Sequence, residues 1–318
     1  MSPNHKRILF ALALLHGNCV VAQNQMNDVW GYQTESTNAD ASDVALPLLS
    51  LVLPGAGQWA RGQWKSGLAY SGLSIGAATY ALQAKRDFGL GEIEPRELTG
   101  DNVAARKHLL GLQTTQALGG LSLYHSFRSA VWQRQKFGEY EFLDSGETPI
   151  DLLKAPFRFD MLRRSTTYVP LTLAAIASWY IAKHDIEGYT KRKLSKEDPW
   201  FASAFSLNAG VHEEAIFRGW LMPVLFNSGM NGAWTNVTQS SLFALAHLGS
   251  NPLPISQFFM GLHLGQVTIR NRWQLTEAIF VHTWWDIMIF IATYHTRKVE
   301  GDTSQQASLH LPPLQIHF

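Results

Sequence analysis

The C-terminal half of the chain carries ionisable residues inside long apolar stretches, and this pattern limits the folds open to it. Helical stretches are predicted near 167–182, 200–226, 235–248, 255–269 and 274–294, and several of them hold charged or polar groups. In lipid, each such group needs an internal partner. We therefore expect an all-α fold, a multi-pass transmembrane helical bundle whose helices surround a polar interior site.

The composition supports this expectation and excludes other classes of protein. Charged residues make up 16% of the chain, which is below the roughly 25% of ordinary soluble domains. The net charge is only +1, so we expect no nucleic-acid partner, which would need a basic excess or a basic stripe. The single cysteine, Cys19, excludes both a disulfide framework and a Cys-rich zinc site.

The first 43 residues predict an export signal and a polar lead-in. Lys6 and Arg7 precede an apolar core over 8–15 that is too short to span a bilayer, and small residues come before Gln23. This order is typical of a cleaved signal peptide over residues 1–22. Residues 23–43 are polar and without a period, as in a solvated lead-in.

The rest of the chain divides by composition into four parts. Residues 44–132 are predicted as an N-terminal Gly-rich membrane hairpin followed by a helix. Their many Gly and Pro residues are typical of turns between helices whose backbones approach closely. Residues 133–164 are predicted as a polar linker and residues 299–318 as a polar tail. Between these two segments, residues 165–298 hold the clusters that carry chemistry.

The first cluster is Glu213, Glu214 and Arg218. Glu214 and Arg218 are four residues apart with the acid first, which is the favoured order for an ion pair on a helix. Glu213 lies about 100° away around the helix, so we expect it to be left free to face a cavity. A buried charge of this kind is costly unless it is paired or functional.

The second and third clusters repeat a four-residue spacing. Phe243 and His247 share one helix face, and His282 and Asp286 share another. In the third cluster the carboxylate is predicted to orient or charge the imidazole. Each pair alone is weak evidence, because a lone His on an apolar helix is more often a core residue than a catalyst. Together the three clusters supply an acid, two imidazoles and a second acid.

In sequence order the three clusters read E-E-x-x-x-R, F-x-x-x-H and H-x-x-x-D. This combination resembles the CPBP family (CAAX protease and bacteriocin-processing, or Abi) of intramembrane endopeptidases, whose third motif ends in Asn or Asp. Gly261-Leu262 and Gly265 also match the Gly-Leu-x-x-Gly run of that family. The resemblance covers about residues 165–298.

The resemblance implies a membrane enzyme that hydrolyses peptide bonds. It implies that Glu213 and His247 activate water, that His282 and Asp286 stabilise the oxyanion, and that Glu214 and Arg218 support them. Asp286 departs from the commoner Asn. A carboxylate cannot donate a hydrogen bond unless it is protonated, so orienting His282 is the other role open to this position.

Amide hydrolysis needs an activated water, a proton for the leaving amine and donors for the tetrahedral oxygen, and these side chains can provide all three. We therefore expect no cofactor. The alternative is a divalent metal such as zinc, held by Glu213, His247 and His282. The H-E-x-x-H motif of zinc proteases is absent, because Ile216 stands where the second His would be.

The sequence thus predicts an intramembrane endopeptidase acting on membrane-associated proteins or peptides. Its other expected partner is membrane lipid, and its expected location is the bacterial inner membrane. The alternative function is a non-enzymatic membrane scaffold or immunity-type protein that retains the motifs as a polar core. A small transporter that uses the buried charges as a relay is a further alternative.

Overall fold

The computed structural model describes residues 41–88, 103–143, 146–184, 189–248 and 254–298. Its helices are α1 (Ala41–Val52), α2 (Ala56–Ala60), α3 (Trp64–Phe88), α4 (Val103–Gln135), α5 (Pro149–Lys154), α6 (Ser165–Lys183), α7 (Asp198–Ile216), α8 (Met222–Asn227), α9 (Gly232–Leu245), α10 (Ile255–Arg270) and α11 (Thr276–Tyr294). Two short strands, β1 (Tyr189–Lys191) and β2 (Thr296–Lys298), pair antiparallel. The all-α prediction is confirmed.

The structure leaves several predictions from the sequence without a test. The signal peptide over 1–22, the lead-in up to residue 40 and the tail over 299–318 lie outside the described residues. Among the helices that the structure describes, none combines the length and the apolar character needed to cross a membrane. The multi-pass transmembrane arrangement stays a prediction.

Buried polar side chains connect the segment around α2, which lies between α1 and α3, to α4. Gln58 is fully buried and donates its amide to the Ser122 carbonyl at 2.8 Å, while the Ser122 hydroxyl donates to Gln58 Oε1 at 2.7 Å. The same hydroxyl accepts the backbone N–H of Gly55 at 2.9 Å. Gly55 has φ +100°, a conformation that glycine adopts without strain. These bonds satisfy the buried polar groups of Gln58 and Ser122.

The segment predicted as a polar linker, 133–164, contains α5 and the two 3-10 turns Ala155–Phe157 and Phe159–Arg163. Leu152 and Ala155 are fully buried and pack into a core cluster with α4, α7 and the start of α11. Just before α5, Glu147 accepts the backbone N–H groups of Leu275 and Thr276. This carboxylate satisfies donors at the N-terminus of α11 that have no partner within the helix, so the segment positions α11.

Helix α7 lies between α4 and α11, and glycines make both contacts close. A Cβ at Gly120 of α4 would lie 3.0 Å from the His212 carbonyl and 3.1 Å from its Cα. A Cβ at Gly210 would overlap the Thr283 hydroxyl of α11. Small residues let helix backbones approach in this way. These contacts involve His212 and Thr283, which are the sequence neighbours of Glu213 and His282.

We predict that Gly67→Ala destabilises the protein by about 1–3 kcal/mol, because a Cβ there would overlap the Trp59 indole. The matched control is Gly72→Ala in the same helix, where a Cβ would meet nothing within 4 Å. Replacing an exposed helical glycine by alanine should stabilise by up to about 1 kcal/mol. Chemical unfolding of both variants measures the difference. Equal stability of the two variants would contradict this account of the hairpin.

Candidate active site

Glu213 lies near the C-terminal end of α7 with its side chain almost wholly buried, at 2% exposure. Neither of its carboxylate oxygens has a hydrogen-bond partner. Its Oε2 lies 3.8 Å from Nε2 of His247 and 3.7 Å from Nε2 of His282. These separations are too long for direct hydrogen bonds. They suit a single water that bonds to the carboxylate and to an imidazole at once.

His247 follows the end of α9 and is held by the backbone of its own segment. Its Nδ1 lies 2.7 Å from the Phe243 carbonyl oxygen. A carbonyl oxygen can only accept, so Nδ1 carries the hydrogen of this bond. The other nitrogen, Nε2, is then the one directed towards Glu213. The four-residue spacing of Phe243 and His247 thus fixes the orientation of the imidazole.

His282 of α11 is surrounded by three carboxylates. Its Nδ1 bonds to Glu214 Oε1 at 2.7 Å, and its Nε2 lies 3.5 Å from Asp286 Oδ2 and 3.7 Å from Glu213. A histidine whose second nitrogen is bonded to a carboxylate has a fixed ring orientation. Glu214 therefore positions His282, while Asp286 stands beside the nitrogen that faces Glu213.

Arg218 joins the first cluster to the second and to α10. Its side chain is fully buried, and it donates to Glu214 Oε1 at 2.9 Å and to the Gly261 carbonyl at 3.3 Å. The guanidinium lies 4.5 Å from the centre of the Phe243 ring, a favourable cation–π arrangement. The residue falls in a π-helical turn, Phe217–Leu221, that follows α7. Such turns are rare and are frequent at functional sites.

The sequence-predicted residues therefore meet in space. The ion pair of Glu214 and Arg218 lies where helical spacing predicted it, and Asp286 lies one turn from His282 as its spacing requires. The bond between Glu214 and His282 was not predicted, because it joins residues 68 positions apart in sequence. The roles in catalysis stay predictions.

The site opens into a cavity of about 250 Å³. Its polar end is formed by Glu213, His247, His282 and Asp286. The remainder is mostly an apolar wall, to which α10 and α11 contribute Met260, Trp285, Ile289 and Phe290. Ser256 and Gln257 at the start of α10 also line it. Trp285 is a residue type that the sequence allows in a site wall or an interfacial belt. The other wall residues could not be predicted, because apolar side chains on a helix give no signal that separates a cavity wall from packed core.

The two amide side chains of α9 that contact α10 were also not identified. Gln239 donates to the Gly261 carbonyl at 3.1 Å, the same oxygen that accepts from Arg218. Asn236 donates to the Leu262 carbonyl at 2.9 Å. A Cβ at Gly261 would lie 3.0 Å from Ser240. The Gly-Leu-x-x-Gly run thus holds α10 against α9. In the sequence, this run was the feature that could have indicated a close contact between the two helices.

Among the described residues, no group of three or more His, Cys, Asp or Glu side chains is arranged to hold a metal ion. The side chains of the site are a buried carboxylate without a hydrogen-bond partner, two oriented imidazoles and a second acid. Together these groups can bind a water, accept a proton from it and donate to an oxygen that gains charge.

Residues 195–288 match a protein-family model described as Rce1-like, type II CAAX prenyl endopeptidase. The match contains all three clusters and ends two residues after Asp286. It confirms the resemblance inferred from those clusters. The helices α1 to α6 and strand β1 lie outside it. No curated protein and no solved structure matches the chain.

We predict that Arg218→Met destabilises the protein by about 3–5 kcal/mol, because it leaves the Glu214 carboxylate buried without the cation that is paired with it. The control is Arg158→Met, which breaks an ion pair with Asp160 whose side chains are both 53% exposed. That change should stay within about 1 kcal/mol. Chemical unfolding compares the two variants. Similar losses in both would show that the buried pair does not hold the site together.

Proposed function

Because residues 195–288 form a domain of the Rce1-like type II CAAX prenyl endopeptidase family, we propose that the chain is an intramembrane endopeptidase. It hydrolyses peptide bonds of membrane-associated proteins or peptides. One observation carries this proposal: a buried carboxylate without a hydrogen-bond partner faces two imidazole nitrogens at the end of a cavity. An unpaired buried carboxylate is costly to a fold, so its retention is explained best by a reaction that uses it.

In the proposed reaction, Glu213 and His247 hold the attacking water between them. The water oxygen forms a bond to the carbonyl carbon of the substrate as its proton passes to the Glu213 carboxylate. The bond from that carbon to the amide nitrogen then breaks, and the proton held at the site passes to the leaving amine. Water is the only co-reactant, and the products are a carboxylic acid and an amine.

His282 and Asp286 are proposed to act on the carbonyl oxygen as it gains negative charge. Nδ1 of His282 donates to the Glu214 carboxylate, so its Nε2 donates only in the imidazolium form, which the three surrounding carboxylates favour. In that form Nε2, which lies 3.7 Å from Glu213, can donate to an oxygen bound beside that group. An ionised Asp286 cannot donate, and its oxygen lies 3.5 Å from the same nitrogen. We therefore assign Asp286 the role of orienting and polarising His282. Glu214 and Arg218 hold the opposite side of the ring in place.

Metal-independent hydrolysis is the form of the reaction that we propose. In the alternative, Glu213, His247 and His282 would ligate a divalent ion such as zinc, which would polarise the carbonyl and activate the water. The second His of the H-E-x-x-H motif is replaced by Ile216, so the chain lacks the ligand pair that this motif places on one helix face.

The surface of the protein supports a location in the membrane. Its interior holds hydrogen-bonded polar groups such as Gln58 and Ser122, whereas its helices expose many large apolar side chains. Ile75 of α3 is 64% exposed and Trp179 of α6 is 56% exposed. Soluble monomers rarely expose extensive apolar patches. The inner bacterial membrane is the compartment that the predicted export signal favours.

We predict that Glu213→Gln lowers kcat for peptide hydrolysis by about 10²–10⁴-fold, the usual contribution of a general base. Folding should be unaffected, because the change removes a charge that no other group bonds. The assay uses the full chain reconstituted in lipid with a fluorogenic peptide, and Glu141→Gln serves as the control because Glu141 is exposed on the surface.

Three outcomes of this assay contradict the proposal or a part of it. Turnover retained by Glu213→Gln rejects the assigned base. No peptidase activity in the unmodified chain, together with a loss of stability in Glu213→Gln or His247→Ala, favours the non-enzymatic scaffold. Loss of the hydrolysis rate on adding a chelator, with recovery on adding zinc, identifies the metal-dependent form in place of the one proposed.

We also predict that the exposed apolar surface of α3 contacts lipid acyl chains. In a Cys19→Ser background, Ile75→Cys carries a bimane fluorophore, and the protein is reconstituted with brominated lipids. Bimane at position 75 should be strongly quenched. The same label at Glu141→Cys, on the exposed polar segment after α4, should be quenched little. Equal and weak quenching at both positions would contradict a membrane-embedded surface.

A further inference from the structure

We infer that the cavity selects substrates that carry a basic side chain close to the scissile bond, next to a large apolar residue. This inference rests on the proposed peptidase function and concerns the substrate class of the same site. It is drawn from the charges and surfaces that line the cavity.

The first observation is an excess of negative charge. The residues that line the cavity include two acids, Glu213 and Asp286, and neither lysine nor arginine. Glu213 is buried and neither of its oxygens is hydrogen-bonded. The Asp286 side chain is 23% exposed, so it stands where an occupant of the cavity can reach it. A cavity lined by one sign of charge attracts ligands of the opposite sign.

The nearest cation does not compensate for this excess. Arg218 is already bonded to Glu214 and to the Gly261 carbonyl, and it packs over the Phe243 ring. That pair is neutral as a unit. Two carboxylates and two imidazoles then remain around the cavity. The imidazolium form of His282, which the oxyanion step requires, offsets one of the two negative charges, so one is left without compensation. A cation on the substrate completes the charge balance at Asp286 and leaves Glu213 to act on water.

The second observation is the apolar wall that faces these acids. Met260, Trp285, Ile289 and Phe290 line the cavity from two helices, α10 and α11. Ile289 and Phe290 follow Asp286 by three and four residues on α11, so this part of the wall shares a helix face with the second acid. A substrate that presents only apolar groups would use the wall and leave Asp286 with only the His282 imidazole beside it, at 3.5 Å. A lysine or arginine also has an apolar stem that can lie along such a wall while its charge reaches the acid.

The experiment measures kcat/KM for matched peptides with the full chain in lipid. A fluorogenic peptide with a large apolar residue at its cleavage site is varied at each of the two positions on either side of the scissile bond. Each position carries lysine, uncharged norleucine or glutamate in turn. At one position or more, lysine should exceed norleucine by about tenfold, and glutamate should be cleaved most slowly, as expected for a charge interaction in a partly exposed site.

Two variants test the origin of the preference. Asp286→Asn removes the charge with little change of shape, so the lysine-to-norleucine ratio should fall to about one. Because Asp286 belongs to the proposed catalytic set, Gln257→Lys provides a second test outside that set. Gln257 lines the same cavity and is 8% exposed, and a cation there should bring the ratio to one or below. Gln133→Lys, at an exposed position on α4, should leave the ratio unchanged.

The outcomes separate the inference from the proposed function. Equal cleavage of lysine and norleucine peptides by the unmodified chain at all positions overturns the inference and leaves the peptidase function standing. A lysine preference that survives both Asp286→Asn and Gln257→Lys also overturns it, because the charge would then be read elsewhere. Failure to cleave any peptide of the series removes the proposed function, and the inference with it.

Discussion

The candidate site depends on one carboxylate oxygen, Oε1 of Glu214, which accepts from Arg218 at 2.9 Å and bonds to His282 at 2.7 Å. Through it, the end of α7 and the middle of α11 share a single buried anion. Arg218 extends the connection to α9 by its contact with Phe243 and to α10 by its bond to Gly261. A buried charge without partners is costly, so each of these contacts is coupled to the others.

The two bonds to Glu214 explain how the adjacent acid, Glu213, can remain without a hydrogen-bond partner. Glu214 takes the available cation and one imidazole nitrogen, so Glu213 on the next face of the helix is left with neither oxygen bonded. Glycines at the contacts of α7 with α4 and α11 hold the helices close enough for Glu213 to lie 3.7 Å from His282. The hydrogen bonds from Arg218 and His282 thus go to Glu214, and the neighbouring Glu213 stays available for chemistry.

Local periodicity predicts those parts of the structure that arise within one helix. The ion pair of Glu214 with Arg218 and the contact between the tilted rings of Phe243 and His247 both follow from four-residue spacing. The glycines between Pro54 and Leu68 likewise predict close approaches of the backbone, and a Cβ at Gly67 would overlap the Trp59 indole. The membrane hairpin itself stays a prediction.

Contacts between distant segments could not be predicted in this way. The bond of Glu214 with His282 and the capping of α11 by Glu147 join residues 68 and 128 or more positions apart. The many charged side chains in residues 133–164 predict a polar linker. In the structure, however, Leu152 and Ala155 of this segment are buried in the core. From a single sequence, it cannot be predicted which apolar residues of such a segment pack against another helix.

In the proposed reaction, Glu213, His247 and His282 act together on one tetrahedral centre. An experimental structure of the chain in lipid with a peptidyl ketone, whose hydrate imitates the tetrahedral intermediate, tests this directly. We expect one hydrate oxygen within hydrogen-bond reach of Glu213 and His247, and the other within reach of His282. A ketone bound elsewhere, or imidazoles turned away from Glu213 in the complex, would contradict it.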